Sequence, residues 1–488
     1  MEGCPKGGMV NQHNLLNDFK AFDALNLPFN EQKYKELLER LEVSERMLSE
    51  LENMNERFRF DAEFNKKEFL NIIEQLEQKE FKRLRDTDIQ ILHPAEIKRD
   101  FIEDGVWFFR TQNLRSLKIE KSNDVYISKS DAQRLKNNEI KYGDVLMTRT
   151  GANYGQTAVY NLDEKAIASS HVLILRNSFF NQFFLATFFN TKYGRKMIDK
   201  GMYGAAQPEI SPYYILNIPI PVFSESFQLS IENKYKESEI NLTQSQSLYR
   251  QAEDLLLSTL GLKNFTPSEK GTNIKSFKES FLATGRLDAE YYQVKYEDYL
   301  QLIKIYSGGF DVLQTVCNMK DNNFSPEDTK EYQYIELADI GKSGNITGCT
   351  LAKGSELPSR ARRKVSAKDV IISSIEGSLE SCALVTQGYD NALCSTGFYV
   401  INSDKINSET LLVLFKSEVM QNILKQGCSG TILTAINKTE FLSIPVPIID
   451  EKIQRQISAL VEESFYLRGA SERLLEEAKE MVEREIEN

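Results

Sequence analysis

Along residues 228–257, Ile231, Tyr235, Ser238, Leu242, Ser245, Tyr249, Ala252 and Leu256 recur at alternating spacings of four and three. About 226 residues later the register returns as Ile457, Val461, Ser464, Arg468, Ser471, Leu475, Ala478 and Val482. This is the apolar seam of a coiled coil, with small serines at two equivalent layers. Each run of about 30 residues makes a helix about 45 Å long. Tyr34, Leu38, Leu41, Leu48 and Leu51 share one face over 30–54 and predict a further amphipathic helix, whereas 1–25 carries no strong pattern. Short β-branched and aromatic runs bounded by Gly, Asn and Asp predict strands at 106–109, 145–147, 157–160 and 171–175. A second set follows at 332–337, 370–373, 382–385 and 397–401, and helical stretches are predicted at 183–198 and 409–424. Pro221 and Pro447 break the chain ahead of each long helix.

The duplication extends to local motifs. Arg59-Phe60-Asp61-Ala62-Glu63 returns as Arg286-Leu287-Asp288-Ala289-Glu290, and Gly143-Asp144-Val145-Leu146 as Lys368-Asp369-Val370-Ile371. Ala168-Ser169-Ser170 matches Cys394-Ser395-Thr396. Ile218-Pro219-Ile220-Pro221 matches Ile444-Pro445-Val446-Pro447, and Gln228 matches Gln454. Few insertions separate the copies, so the two halves are expected to share one fold.

Composition narrows the class. Of 488 residues 41% are hydrophobic and 27% charged, which is ordinary for a soluble globular protein. No apolar run of membrane-spanning length and no secretory leader pattern is present, and the six cysteines include no Cys-x-x-Cys pair. A cytoplasmic location is therefore expected. The net charge of −11 is unevenly spread: residues 86–224 sum to about +2 and 312–449 to about −2, the rest of the acidity lying in segments that read mostly as helices. Global charge therefore does not exclude a nucleic-acid partner, which needs only a local basic surface.

Catalytic chemistry is sparse. There is no Asn/Asp-Pro-Pro-Tyr/Phe run, and the glycines between Gly341 and Gly348 have the wrong spacing for a dinucleotide or phosphate loop. His13, His93 and His171 sit in unrelated sequence contexts. Asp61-Ala-Glu63 and Asp288-Ala-Glu290, the latter followed by Lys295, have the residue types of a nuclease carboxylate–lysine set. Their recurrence before both bodies favours a structural role, an Asp capping orphan amides.

The chain from about residue 57 to 488 resembles the specificity subunit of Type I restriction–modification systems. The carriers are Gly143 to Gly151 followed by Gly155-Gln-Thr-Ala-Val159, Gly204-Ala-Ala-Gln207-Pro-Glu-Ile210, and Ile218-Pro-Ile-Pro221 ahead of a coiled-coil helix. In the second copy they are Gly430-Thr-Ile432, Ile444-Pro-Val-Pro447 and Gln454-Arg-Gln-Ile457. The resemblance implies an α+β fold: two pseudo-symmetric target-recognition domains separated by long antiparallel coiled-coil helices that set the spacer between half-sites. The expected partition is an N-terminal extension with an amphipathic helix (1–56), target-recognition domain 1 (57–224) and a central long helix with linker (225–284). Target-recognition domain 2 (285–449) and a long last helix (450–488) follow. It also implies a non-catalytic chain that binds double-stranded DNA, two methyltransferase subunits and restriction subunits in bacterial defence. S-adenosylmethionine, ATP and magnesium would bind those partner subunits, and no cofactor or metal this chain. The longer N-terminal lead leaves a Type IIB-like specificity subunit as an alternative. A stand-alone nuclease built on the Asp-x-Glu pairs and a purely structural coiled-coil adapter are the rivals from other classes.

DNA reading needs forked donors and acceptors at base edges, and phosphate contacts for register. The loop after the 145–147 strand offers Thr148, Arg149, Thr150, Asn153, Tyr154 and Gln156. In the second copy, Thr148-Arg149-Thr150-Gly151 is replaced by Ser373-Ser374-Ile375-Glu376, as expected if two domains read different half-sites. Arg360, Arg362, Arg363 and Lys364 form the densest basic run outside the helices and are candidates for phosphate. Tyr203, Gln207, Thr431 and Asn437 complete the set, on the loops before the Pro-rich exits.

Overall fold

The computed structural model describes residues 31–39, 44, 59, 61–121, 123–204, 207–430 and 434–488. The chain divides into two compact units, one of residues 1–233 with 477–488, the other of residues 234–476. Within the first extension a helix covers Glu31–Leu38. The remainder of the helix expected over 30–54, apart from residues 39 and 44, and the irregular segment 1–25 lie outside the described residues.

In the first unit two four-stranded sheets form the lobe. One runs Tyr126–Ile127, Val106–Phe109, Ala166–Ala168, Glu139–Ile140, with the central pair parallel (Trp107 opposite Ala166). The other is antiparallel in the order Gln90–Leu92, Val172–Arg176, Val145–Thr148, Thr157–Val159. Trp107, Phe109, Leu146, Tyr160 and Ile174 are buried together, so the sheets share one core. The strands are short and apolar at nearly every position, as befits strands covered on both faces. The Phe-rich helix Gln182–Asn190 covers the second sheet, with every residue from 183 to 190 buried.

The second unit repeats this plan. Thr350–Lys353, Glu331–Ile335, Leu393–Ser395 and Ala361–Lys364 form one sheet, again with a parallel central pair. Asn318–Met319, Phe398–Asn402, Val370–Ser373 and Cys382–Leu384 form the other. In both lobes a short ribbon pairs the entry strand with the Pro-rich exit: Phe81–Arg83 with Pro219–Pro221, and Phe310–Val312 with Pro445–Pro447.

The sequence repeats recur as repeated contacts. Asp144 receives two hydrogen bonds from Arg176, at 2.8 and 2.6 Å, and one from the Lys141 amide. Its counterpart Asp369 receives Lys320 Nζ at 2.6 Å, Asn402 Nδ2 at 2.9 Å and the Ser366 amide. Both carboxylates are almost fully buried and need these partners. Asn181 caps the helix Gln182–Asn190, and its amide donates to Gln228 Oε1 at 2.9 Å. Asn407 caps Ser408–Lys416, and its amide donates to Gln454 Oε1 at 2.8 Å. Gln228 and Gln454 each return a hydrogen bond to the chain ahead of the long helix, at Phe223 O and Ile449 O. The two glutamines therefore tie the first turns of each long helix to its lobe.

Arg59 and Arg286 bridge the start of each lobe to the hairpin after its helices, donating to Met202 O and Cys428 O. Asp61 and Asp288 hold those guanidiniums and accept the Phe64 and Tyr291 amides. The Asp-Ala-Glu motifs are thus braces in a turn; the first α-helix after Asp61 begins only at Lys67.

Three expected elements differ. The helical stretch 183–198 is two helices, Gln182–Asn190 and Lys192–Gly201, and 409–424 is likewise Ser408–Lys416 and Glu418–Gly427. Thr191 and Ser417 take extended backbone between them, and each hydroxyl caps the following helix. A hydroxyl residue that competes for backbone amides offers such a break without a proline. The strand expected over 332–337 ends at Ile335 and is followed by a 3-10 turn at Leu337–Asp339.

The long helices span Glu225–Thr259 and Glu451–Glu487. Every predicted seam position is buried except Leu242 and Arg468, which are half-buried. Within the second unit Ser238 faces Ser471 and Ser245 faces Ser464, so the helices are antiparallel there. Phe465, Leu255 and Leu257 pack against that unit's core, whereas Ile240 and Tyr466 remain exposed at equivalent repeat positions.

Candidate nucleic-acid interface

The loop 148–156 joins the antiparallel strands Val145–Thr148 and Thr157–Val159. Its two ends are held by Thr148, which is completely buried. The Thr148 hydroxyl donates to Asn153 O and accepts the Gln156 amide, and the Gly155 amide donates to Thr148 O at 2.6 Å. Gly155 has φ +74°, and a Cβ there would collide with Ile198 and Arg195, so only glycine closes this turn. The Tyr154 phenol donates to Asp199 Oδ1 at 2.9 Å, which together with burial holds its pKa above the ordinary value. Thr148 and Tyr154 therefore build the loop rather than offer free groups to a partner. Asn153 is exposed; Gln156 is half-buried, with its Oε1 unpartnered among the described residues.

Arg149 and Thr150 lie where this loop meets the hairpin of Met202–Tyr203 and Glu209–Ile210. The Arg149 amide donates to His171 O at 2.8 Å, and Arg149 O accepts the Ile210 amide at 3.1 Å. Its guanidinium pairs with Glu209 Oε1 through Nη2 and lies 2.6 Å from His93 Nε2 through Nη1. Tyr203 donates to the same Glu209 Oε1 at 2.7 Å. Thr150, nearly buried, lies 2.8 Å from His171 Nδ1. Partial burial and the adjacent Arg149 hold His93 below its ordinary pKa, favouring the neutral ring that accepts from the guanidinium. His93 and His171, unrelated in sequence, thus flank one arginine–threonine pair. Gln207 stands exposed on the hairpin turn after Gly204.

The second lobe presents the same backbone with different side chains. The Ser374 amide donates to Gly397 O and Ser374 O accepts the Ile436 amide, both at 2.9 Å, as at Arg149. The isolated bridge of Thr150 with Glu209 becomes that of Ile375 with Ala435. Arginine, histidine and glutamate are replaced by serine, glycine and alanine on an unchanged frame.

The basic run 360–364 is an edge strand, Ala361–Lys364. Arg363 is paired within the lobe: it meets Asp321 at 2.7 Å and is 16% exposed. Asp321 also binds Lys438 at 2.6 Å, and these two cations hold its carboxyl below the usual range. Arg360 is exposed and reaches Glu336 at 3.3 Å, Arg362 donates to Ser359 O, and Lys364 is exposed beside the Phe324 ring. Asn437 caps the helix Lys438–Ser443 by accepting the Glu440 amide, so its side-chain oxygen is already used. Thr431 lies outside the described residues.

His93, Glu209, Asp321 and Lys438 belong to these sites although sequence reasoning did not select them. Glu209 stood within the Gln207-Pro-Glu209-Ile210 motif and could have been found there. Among the described residues no group of His, Cys, Asp and Glu is arranged to hold a metal ion, and no helix is long and apolar enough to cross a membrane.

No family model matches the sequence, and no curated protein matches it. Several solved structures are similar to the chain. The Type I restriction–modification S subunit from M. genitalium is 13% identical, over 82% of this chain and 92% of that one, with a TM-score of 0.38. The HsdS subunit from Thermoanaerobacter tengcongensis is 14% identical over 83% and 95%, with a TM-score of 0.26. A chain from a structure of type I R-M complex assembly and conformational transition is 16% identical over 82% and 97%, with a TM-score of 0.28.

Proposed function

We propose that this chain is the DNA sequence-recognition subunit of a Type I restriction–modification complex and performs no catalysis itself. One observation carries the reading. The chain builds the same lobe twice, down to paired hydrogen bonds, yet equips the same backbone position with Arg149 and Glu209 in one copy and Ser374 and Ala435 in the other. A duplicated frame with unlike side chains suits a double-stranded DNA target of two different half-sites. Exposed Asn153 and Gln207 in the first lobe, and in the second the exposed Arg360 and Lys364 with the half-buried Arg362, are the groups that would meet DNA. The two long helices would scaffold two methyltransferase subunits and the restriction subunits. Those partners would bring S-adenosylmethionine, ATP and magnesium.

The test is single-molecule sequencing of DNA methylation in cells expressing this chain with its cognate methyltransferase subunit. Methylation confined to a split sequence with a fixed spacer is expected. Methylation without sequence preference, or magnesium-dependent cleavage by the purified chain alone, would overturn the proposal.

A further inference from the structure

We infer that Glu209 is a specificity-determining residue of the first lobe, its carboxylate accepting a hydrogen bond from an exocyclic base amine, adenine N6 or cytosine N4. The inference rests on the DNA-recognition reading and deepens it. Arg149 and Tyr203 both donate to Glu209 Oε1. Oε2 keeps no partner among the described residues, and the side chain is 26% exposed. The carboxylate is therefore oriented by two donors and retains one free acceptor at the surface.

Three considerations favour base reading over a structural brace. First, the second lobe closes the same backbone arrangement with Ser374 and Ala435, so the fold at this point does not require the ion pair. Second, the arrangement is not self-contained: Arg149 Nε is buried without a partner among the described residues, and Nη1 meets the exposed ring of His93. Third, a carboxylate is repelled by phosphate, so at a DNA surface it is suited to the amines that adenine and cytosine display in the major groove. Arg149 then acts as a positioning residue that fixes Glu209. It keeps donor capacity for a neighbouring guanine, since each terminal nitrogen of a guanidinium carries two hydrogens.

The experiment uses the full chain assembled with its methyltransferase subunit and compares wild type, Glu209→Gln and Glu209→Ala. Methylated sites are read by single-molecule sequencing, and binding is measured on DNA duplexes substituted one base pair at a time. Expected is a loss of discrimination of about 10-fold or more at one base pair of one half-site, the other half-site unchanged. Glu209→Ala imitates the residue of the second lobe, and its thermal midpoint verifies folding. Unaltered discrimination in both variants would sink the inference alone, as would an equal loss of affinity for every duplex. A wild-type complex without sequence preference would instead overturn the functional reading, and this inference with it.

Discussion

Ser464 donates to the backbone carbonyl of Ser245 at 2.8 Å, and the two hydroxyl oxygens lie 3.1 Å apart in the buried seam of the helix pair. Ser238 makes the same contacts to Ser471, 2.9 Å to its carbonyl and 2.8 Å between hydroxyls. Under the internal repeat, Ser238 corresponds to Ser464 and Ser245 to Ser471, so each layer is the image of the other. This segment of the seam is two-fold symmetric within a single chain. Small side chains let the backbones approach, and the four serine hydroxyls of these two layers are all hydrogen-bonded.

Size rather than polarity is expected to matter at these layers. Replacing Ser245 and Ser464 together by Ala removes donor and acceptor at once, and should cost less than about 1 kcal/mol. Ser245→Leu forces the helices apart and should cost about 1–3 kcal/mol. Urea unfolding midpoints of the full chain separate the two.

Gln228 and Gln454 should be equivalent in effect. Either change to Ala strands a helix-cap amide, at Asn181 or Asn407, and should lower stability by about 1–3 kcal/mol. Gln454→Glu preserves the acceptor but loses the donor bonds to Ile449 and Lys405, so it should not rescue. Thermal midpoints of the single variants test this.

Acid should release the Arg-x-Asp braces. The neighbouring Arg59 and Arg286 hold Asp61 and Asp288 below their ordinary pKa of 3.8. A depressed folded-state pKa contributes stability that is complete above the unfolded value and lost as pH falls through the folded one. The wild type should therefore be more stable than Asp61→Asn or Asp288→Asn at pH 7, with the difference shrinking below about pH 4. Denaturation at a series of pH values measures the gap. A gap that widens on acidification would refute the assignment.

The basic edge strand should divide by partner. Arg363→Ala leaves Asp321 with Lys438 alone and should destabilise the second lobe with little specific effect on DNA. Replacing Arg362 and Lys364 by Ala should weaken binding to all sequences alike and flatten the salt dependence by roughly one to two units of slope. Binding titrations across salt concentration distinguish a phosphate contact from a structural ion pair.

The sequence by itself determined what depends on local period and on repetition. The seam from Ile231 to Leu256 and its copy from Ile457 to Val482 were legible because a helix buries every third or fourth residue whatever its partner is. The strands around Val145 and Val370 were legible because short apolar runs between turn residues have few other uses. Tertiary structure decided what depends on residues distant in sequence. Arg149 meets His93 and Glu209, 56 and 60 positions away, and no spacing rule connects them. Thr148 looked like an exposed loop hydroxyl and is fully buried, because the loop folds back onto the helix carrying Ile198 and Asp199. Arg363 looked like free positive charge and is held by Asp321, 42 positions earlier. A polar side chain's role is set by which donor or acceptor the fold brings within about 3 Å. Local pattern places it on an element but does not choose that partner.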